Sequence, residues 1–287
     1  MDSLAARYFL GLAADEAVPD HSTLSVFRQR IIDHPRGGVK VFEELFRRVV
    51  HIAREKGIQF GRIQVVDATH SIADVDVKGD DKRHRGGKAR RDRDASWGVK
   101  GRRRTKAVDG KTVLVNKSFY GYKAHISLNA ESELITSMVP STGRVSDGKQ
   151  FERLVDKDEG VEVKAEVYAG DKGYDDGDNH ELLKSKGKKS ALILNAYRTG
   201  KKDSNKQVWI ELKSDPDYEA GKRERYKVEQ KFGEGKKRHG WGRCRYVGLK
   251  GYSVQCFLTG MVLNLKRMVK LLREVVFSQS ARSLARA

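Results

Sequence analysis

Cysteine is nearly missing from this chain: Cys244 and Cys256 are the only two in 287 residues, and no CxxC pair occurs. That excludes a disulfide framework. The eight histidines are scattered, none at metal-ligand spacing, so a structural zinc centre is excluded as well. No run of about 18 apolar residues occurs, and no membrane-spanning helix is expected. The apolar stretch "SLAARYFLGL" has no basic leader before it, so a cytoplasmic location is expected. Negative charge is also short: 58 Lys and Arg against 39 Asp and Glu leave a formal net charge of +19. An excess of that size, gathered in clusters, points to a polyanionic partner whose phosphates release counterions on binding. The 38% of apolar residues suffices for one large domain or two small ones with a wet surface.

Residues 1–57 read as helical. "SLAARYFLGL" and "STLSVFRQRIID" carry apolar residues at spacings of three and four. In "GGVKVFEELFRRVVHIAREKG", Val41, Phe42, Leu45, Val49 and Ile52 are expected to line one face, and Gly57 to end the helix. From about 58 the period shortens. "IQFGRIQVVDA" reads as a strand or hairpin; "KSFYGYKAHISLNA", "ELITSMVPS", "VEVKAEVYAGD" and "SALILN" read as strands; "DGKQFERLVDK" and "DNHELLKSKG" read as helices. A polar, irregular stretch to about 222 follows. Residues 223–236 read as a helix, and "LTGMVLNLKRMVKLLREVV" closes the chain as an amphipathic helix with Leu258, Leu265, Met268 and Leu272 on one face. This order predicts an α/β fold, a mixed sheet flanked by helices. The basic insertion at about 75–117 is rich in glycine and poor in large apolar residues, and is expected to be a mobile loop.

Two strands end on a carboxylate: "RIQVVDATH" at Asp67 and "EVYAGDKGYDD" at Asp171. Strand-end carboxylates converge if the strands are neighbours. They then repel, unless one is protonated or a cation sits between them. Without an imidazole or thiolate cluster, that cation is expected to be Mg²⁺ or Mn²⁺. The alternative is that each aspartate forms a turn or a cap. A third acid, Glu229 in "RERYKVEQKFGEGK", shares a helix face with Arg225, Phe232 and Lys236. It is either a surface ion-pair residue or a metal ligand whose basic neighbours hold phosphates. His70 and His125 lie near these acids, with a hydrogen-bonding role expected. Trp97 in the basic segment, and Trp241 with Tyr246 in "KKRHGWGRCRYVGLKG", are candidates either for stacking on nucleic-acid bases or for local packing.

Taken together, these motifs resemble insertion-sequence transposases of the Asp-Asp-Glu type, most closely the group built around insertion sequence five. "PDHSTLSVFRQR" is similar to that family's helical N-terminal segment. "VVDATH" and "AGDKGYDD" are similar to its first two acidic motifs, with "FYGYKAHISLNAESELITSMVPSTGRVSD" between them. Arg225, Glu229 and Lys236 match the third motif, although Lys222 stands where the family has tyrosine. The resemblance implies a ribonuclease H-like catalytic domain over 58–287 behind a helical segment at 1–57. Relatives carry more residues before such a segment, so that unit is expected to be incomplete. It further implies a metal-dependent polynucleotidyl transferase and endonuclease that cuts element ends and joins them to target DNA. Asp67, Asp171 and Glu229 would be catalytic and would hold two Mg²⁺ or Mn²⁺ ions. Arg225, Lys236, Arg102, Arg103 and Arg104 would contact DNA. The partners implied are terminal inverted repeats, target DNA and further copies of the chain, with nucleoid association when DNA is bound. The alternative is a truncated remnant that binds DNA without cutting it.

Overall fold

The computed structural model describes residues 4–284 apart from 10, 14, 17–19, 36, 107–109 and 196–205. The chain forms two compact units, Met1–Val41 and Phe42–Ala287. The first holds helices α1 (Leu4–Phe9) and α2 (His21–Asp33). Within it, Arg7 Nη1 donates to the carbonyls of Ala13 at 3.0 Å and Glu16 at 2.7 Å.

Helix α3 (Val39–Glu55) begins at the end of the first unit and continues into the second. Its buried residues are Phe42, Phe46, Val49, Val50 and Ala53. That stripe is rotated from the expected one, since Val41 and Leu45 are 39% and 50% exposed. Phe46 decides the orientation by packing on Phe257, with ring centroids 6.0 Å apart.

The rest of the second unit runs β1 (Ile63–Ile72), α4 (Val77–Arg85), β2 (Ser96–Lys106), β3 (Thr112–Asn129), β4 (Ile135–Thr142), α5 (Phe151–Gly160), β5 (Val167–Gly170), α6 (Gly177–Ser185), β6 (Lys189–Leu192), α7 (Lys206–Ser214), α8 (Pro216–Glu224), α9 (Tyr226–His239) and α10 (Gly248–Leu284). The strands make one six-stranded sheet in the order β2-β3-β1-β5-β6, with β4 also paired to β3. The strands β1 to β4 pair antiparallel, whereas β1, β5 and β6 pair in parallel. Apart from β2, the path β4-β3-β1-β5-β6 is the ribonuclease H-like order that was expected. Helices cover both faces. On one, Phe151 of α5 packs edge-on against Tyr168 of β5, centroids 5.9 Å apart. On the other, Gly221 of α8 lies against Ala169 and Ala191, and Tyr252 of α10 stacks on Tyr122 at 4.9 Å. Tyr168 and Ala169 are consecutive, so these helices lie on opposite faces. Among the described residues, no helix is long and apolar enough to cross a membrane.

Four expectations need correction. The first strand does not stop at Asp67 but continues to Ile72, because β3 stays paired to it as far as Gly121. The polar stretch before 222 contains α7 and α8; the Asp215 carboxylate caps α8 by accepting from the Asp217 N–H at 2.8 Å. In α10, Leu258 and Leu265 are exposed and Leu263, Asn264 and Met268 are buried. Asn264 fixes that rotation by a two-way clamp on the Ile135 backbone, 2.8 Å in each direction.

The fourth concerns the basic insertion, which is no loop. It contains α4 and β2, tied down by the buried Asp92. Its carboxylate accepts from the Tyr122 hydroxyl at 2.6 Å, the N–H groups of Ala95 and Asp94 at 3.0 and 3.1 Å, and the Gly248 N–H at 3.3 Å. This hydrogen-bonded carboxylate, with the β2–β3 ladder and the buried Asp80 that accepts from the Arg91 N–H at 2.8 Å, anchors a segment poor in apolar residues.

Candidate active site

Strands β1 and β5 pair in parallel through Ile63↔Val167, Gln64↔Tyr168 and Val65↔Ala169. Continuing that register brings Asp67 level with Asp171, just past the end of β5. Neighbouring strands lie about 4.8 Å apart, so the two carboxylates share one small region. Each is anchored by a backbone donor. The Ala68 N–H donates to Asp67 Oδ1 at 2.7 Å, and the Gly173 N–H donates to Asp171 Oδ1 at 2.8 Å. Asp171 therefore does form a turn, and it does so while facing Asp67.

Glycine serves this loop by allowing close approach, not left-handed backbone, since neither Gly170 nor Gly173 has positive φ. A Cβ on Gly170 would meet Leu192 Cδ2 at 2.9 Å and Val66 Cγ2 at 3.0 Å; one on Gly173 would meet Asp171 Oδ1 at 2.9 Å.

The electrostatics mark Asp67 as the unusual acid. Burial raises its carboxyl from 3.8 to about 7, opposed by the Ala68 N–H; the charge of Asp171 adds to the rise and that of Arg225 lowers it. Asp147 raises it further. Tyr174 is fully buried beside the same acids. Its hydroxyl has no hydrogen-bond partner among the described residues. Burial, then the charges of Asp67, Asp147 and Asp171, hold that phenol well above 10.

Glu229 lies in the first turn of α9 and is exposed. Arg225, at the junction of α8 and α9, has helical φ and ψ of −56° and −33°, so the helical spacing runs unbroken from Arg225 to Lys236. Both cations act on Asp67, and Glu229 sits between them on the same face. Burial lowers the Lys236 ammonium, and Lys100 lowers it further. Asp67 and Asp171 are thus adjacent. Among the described residues, no three acid, histidine or cysteine side chains cluster closely enough to hold a metal ion.

The other candidates separate. Arg103 and Arg104 are exposed on β2, and the side chain of Arg102 lies outside the described residues. Lys222 pairs with Glu219 at 3.1 Å. His125 is buried, with Nε2 2.8 Å from the Ser141 hydroxyl. Burial lowers it to about 3, which keeps the ring neutral and structural. His70 is lowered to about 4 by burial and then by Lys236 and Lys100, and its ring lies 4.8 Å from that of Phe119. Trp241 is fully buried against Phe232, which removes it as a base-stacking residue. Trp97 is 55% exposed and packs edge-on against Tyr120 at 5.5 Å.

Sequence reasoning missed Asp147. Its Oδ1 accepts from Lys123 Nζ at 2.8 Å and lies 3.6 Å from His125 Nδ1. It follows a turn rather than a strand, so no periodicity announces it; its one signal is the alternation of Lys123 and His125 on β3, which sets both on one face.

The family described as a transposase DDE domain matches residues 60–265. A second transposase domain family, DUF772, matches residues 1–30. Among solved structures, the chain is similar to the Mos1 mariner paired end complex with Mn at 9% sequence identity and a TM-score of 0.25, covering 93% of this chain and 69% of that one. It is similar to the Mos1 strand transfer complex at 8% identity and a TM-score of 0.26, covering 93% and 68%. Likeness at that level adds nothing to the fold read from the sheet order.

Proposed function

Because this chain belongs to the transposase DDE domain family, and is thereby a DNA transposase, we propose that Asp67, Asp171 and Glu229 form one divalent-metal site for phosphoryl transfer. The observation that carries this reading is the parallel register of β1 and β5, which sets Asp67 level with Asp171. Two like-charged carboxylates at that spacing, each fixed by a backbone N–H, are relieved by a hard cation. The donors are all oxygen, which suits Mg²⁺ or Mn²⁺. Two such ions, when bound, would activate the attacking water or DNA 3′-hydroxyl and stabilise the leaving oxygen.

The chain's own residues do the rest. The sheet holds Asp67 and Asp171 in fixed positions, as in-line displacement demands. Glu229, which does not cluster with the two aspartates here, would supply the third carboxylate from α9 as metal binds. Arg225 grips a neighbouring phosphate with its planar fork, and Lys236 acts on another as a point charge. Arg103 and Arg104, exposed on β2, extend the contact along the duplex. The chain cuts the ends of its element and joins them to target DNA, working as a homo-oligomer that holds two ends together. It is expected on DNA in the cytoplasm.

Manganese titration followed by electron paramagnetic resonance tests the site without any cleavage assay. The wild-type chain should bind Mn²⁺ more tightly at pH 8 than at pH 6, because Asp67 must lose its proton first. Asp67→Asn and Asp171→Asn should each abolish that binding. Tight binding by both variants would place the metal elsewhere.

A further inference from the structure

We infer that the outer halves of β2 and β3 form a DNA-reading ribbon that enters the major groove and recognises base edges through Arg104 and Asn116. Beyond the rest of the sheet, these strands pair, among the described residues, only with each other, in the register Arg102↔Asn116, Arg103↔Val115, Arg104↔Leu114, Thr105↔Val113 and Lys106↔Thr112. The first seven residues of β3 are all exposed, in contrast to its buried second half. Eight residues of ribbon extend about 26 Å, against a major-groove width of about 12 Å that accepts a two-stranded ribbon.

The ribbon's composition favours DNA as the occupant. Residues 96–106 and 111–118 contain Lys100, Arg102, Arg103, Arg104, Lys106, Lys111 and Lys117, and no Asp or Glu. A second copy of the ribbon would set cations against cations, whereas a polyanion complements them. Its location points the same way. Lys100, at the ribbon's root, acts on Lys236, and Lys236 acts on Asp67. A duplex whose phosphate lies at the acids therefore continues past the ribbon.

Opposed residues of an antiparallel pair share a face. One face carries Arg104, Lys106, Thr112, Leu114 and Asn116; the other carries Arg103, Thr105, Val113 and Val115. The first has the chemistry that reads bases. Arginine forks onto guanine O6 and N7, asparagine onto adenine N6 and N7, and an apolar side chain meets the thymine methyl. Leu114 is 62% exposed at the centre of that face, where it is free to meet a thymine methyl. A register shift between Val99 and Arg102, with Gly101 at φ +123°, places a bulge at the ribbon's root, a feature at which strands bend.

This inference rests on the transposase reading only in taking DNA as the polyanion, and its test avoids the metal site. A random duplex pool is enriched by repeated selection on the Asp171→Asn chain in the absence of divalent metal. Affinities for the enriched and the unselected pools are then compared. Arg104→Lys, which keeps the charge but loses the fork, and Asn116→Ala, made in the same background, should each bind the enriched pool about 5- to 150-fold more weakly. Both should keep their affinity for the unselected pool and their melting temperature. Replacing guanine with 7-deazaguanine in the enriched pool should weaken the parent chain and leave Arg104→Lys unaffected. Undiminished preference in both variants would reduce the ribbon to phosphate contact and overturn the inference. So would failure of the pool to enrich, or a change in oligomeric mass as the only effect of the variants. Cleavage by the chain with all its acids is scored separately. Undiminished base preference in the ribbon variants with intact cleavage refutes the ribbon's role alone; lost base preference in those variants with no cleavage by the chain refutes the metal site alone.

Discussion

In metal-free chain, Asp67→Asn should raise the melting temperature at pH 8 and raise it only about a third as much at pH 5. The Asp67 carboxyl titrates at about 7 in the folded chain, from an ordinary value of 3.8. Between those values the folded chain holds a proton that the unfolded chain has released. Stability therefore falls as pH rises from about 4 to about 7 and is flat above that. A shift of about 3 pH units corresponds to about 4 kcal/mol, which water reaching this half-buried group reduces to about 1–3 kcal/mol. Asparagine cannot ionise, and its carbonyl still accepts from the Ala68 N–H. At pH 8 the variant escapes the whole penalty, which for a domain of this size is about 2–10 °C. At pH 5 the folded carboxyl is protonated but the unfolded one is not, so about a third of the penalty is already present and the variant's gain should be about a third of that at pH 8. Magnesium should reverse the order at pH 8, stabilising the wild type and leaving the variant unchanged. Melts by circular dichroism at both pH values, with and without Mg²⁺, read all of this. Equal melting temperatures at pH 8, or the same gain at pH 5 as at pH 8, would refute the reasoning.

Three further outcomes follow from the same geometry. Asp92→Ala leaves the Tyr122 hydroxyl and the Ala95, Asp94 and Gly248 N–H groups without their acceptor, and should cost about 3–5 kcal/mol by urea denaturation. Arg225→Ala removes a cation that lowers the Asp67 carboxyl, so the pH dependence of Mn²⁺ affinity should move to higher pH; an unmoved profile would show that Arg225 does not act on this acid. Gly173→Ala drives a methyl group against Asp171 Oδ1 and should weaken Mn²⁺ binding with little loss of melting temperature, whereas an equal loss of both would indicate general misfolding of the loop.

Most of the sheet was legible because its strands carry strong apolar runs and its helices clear periodicity. The order of carboxylates along the chain was legible too. The end of β1 was not: Asp67 interrupts the apolar run, yet β3 carries the pairing on to Ile72. The insertion misled for a related reason. Composition counts apolar residues, whereas its anchors include the carboxylate of Asp92, whose partners Tyr122 and Gly248 lie far away in sequence. Helix faces were found only approximately, since Phe46 and Asn264 set the rotations of α3 and α10 through contacts that periodicity does not contain. Asp147 was invisible because its relation to Asp67 exists only once β3, β4 and the turn after β4 are folded.

The most direct test of the central claim is single-turnover, Mg²⁺-dependent cleavage of duplexes carrying the element's ends, by the wild-type chain and by Asp67→Asn, Asp171→Asn and Glu229→Gln. The three acids, acting as one site, should each on removal lower the rate by orders of magnitude to a common floor, with double variants no slower than single ones and DNA binding retained. Cleavage by Glu229→Gln at close to the wild-type rate would contradict the three-acid site and leave Asp67 and Asp171 as a pair without their third member.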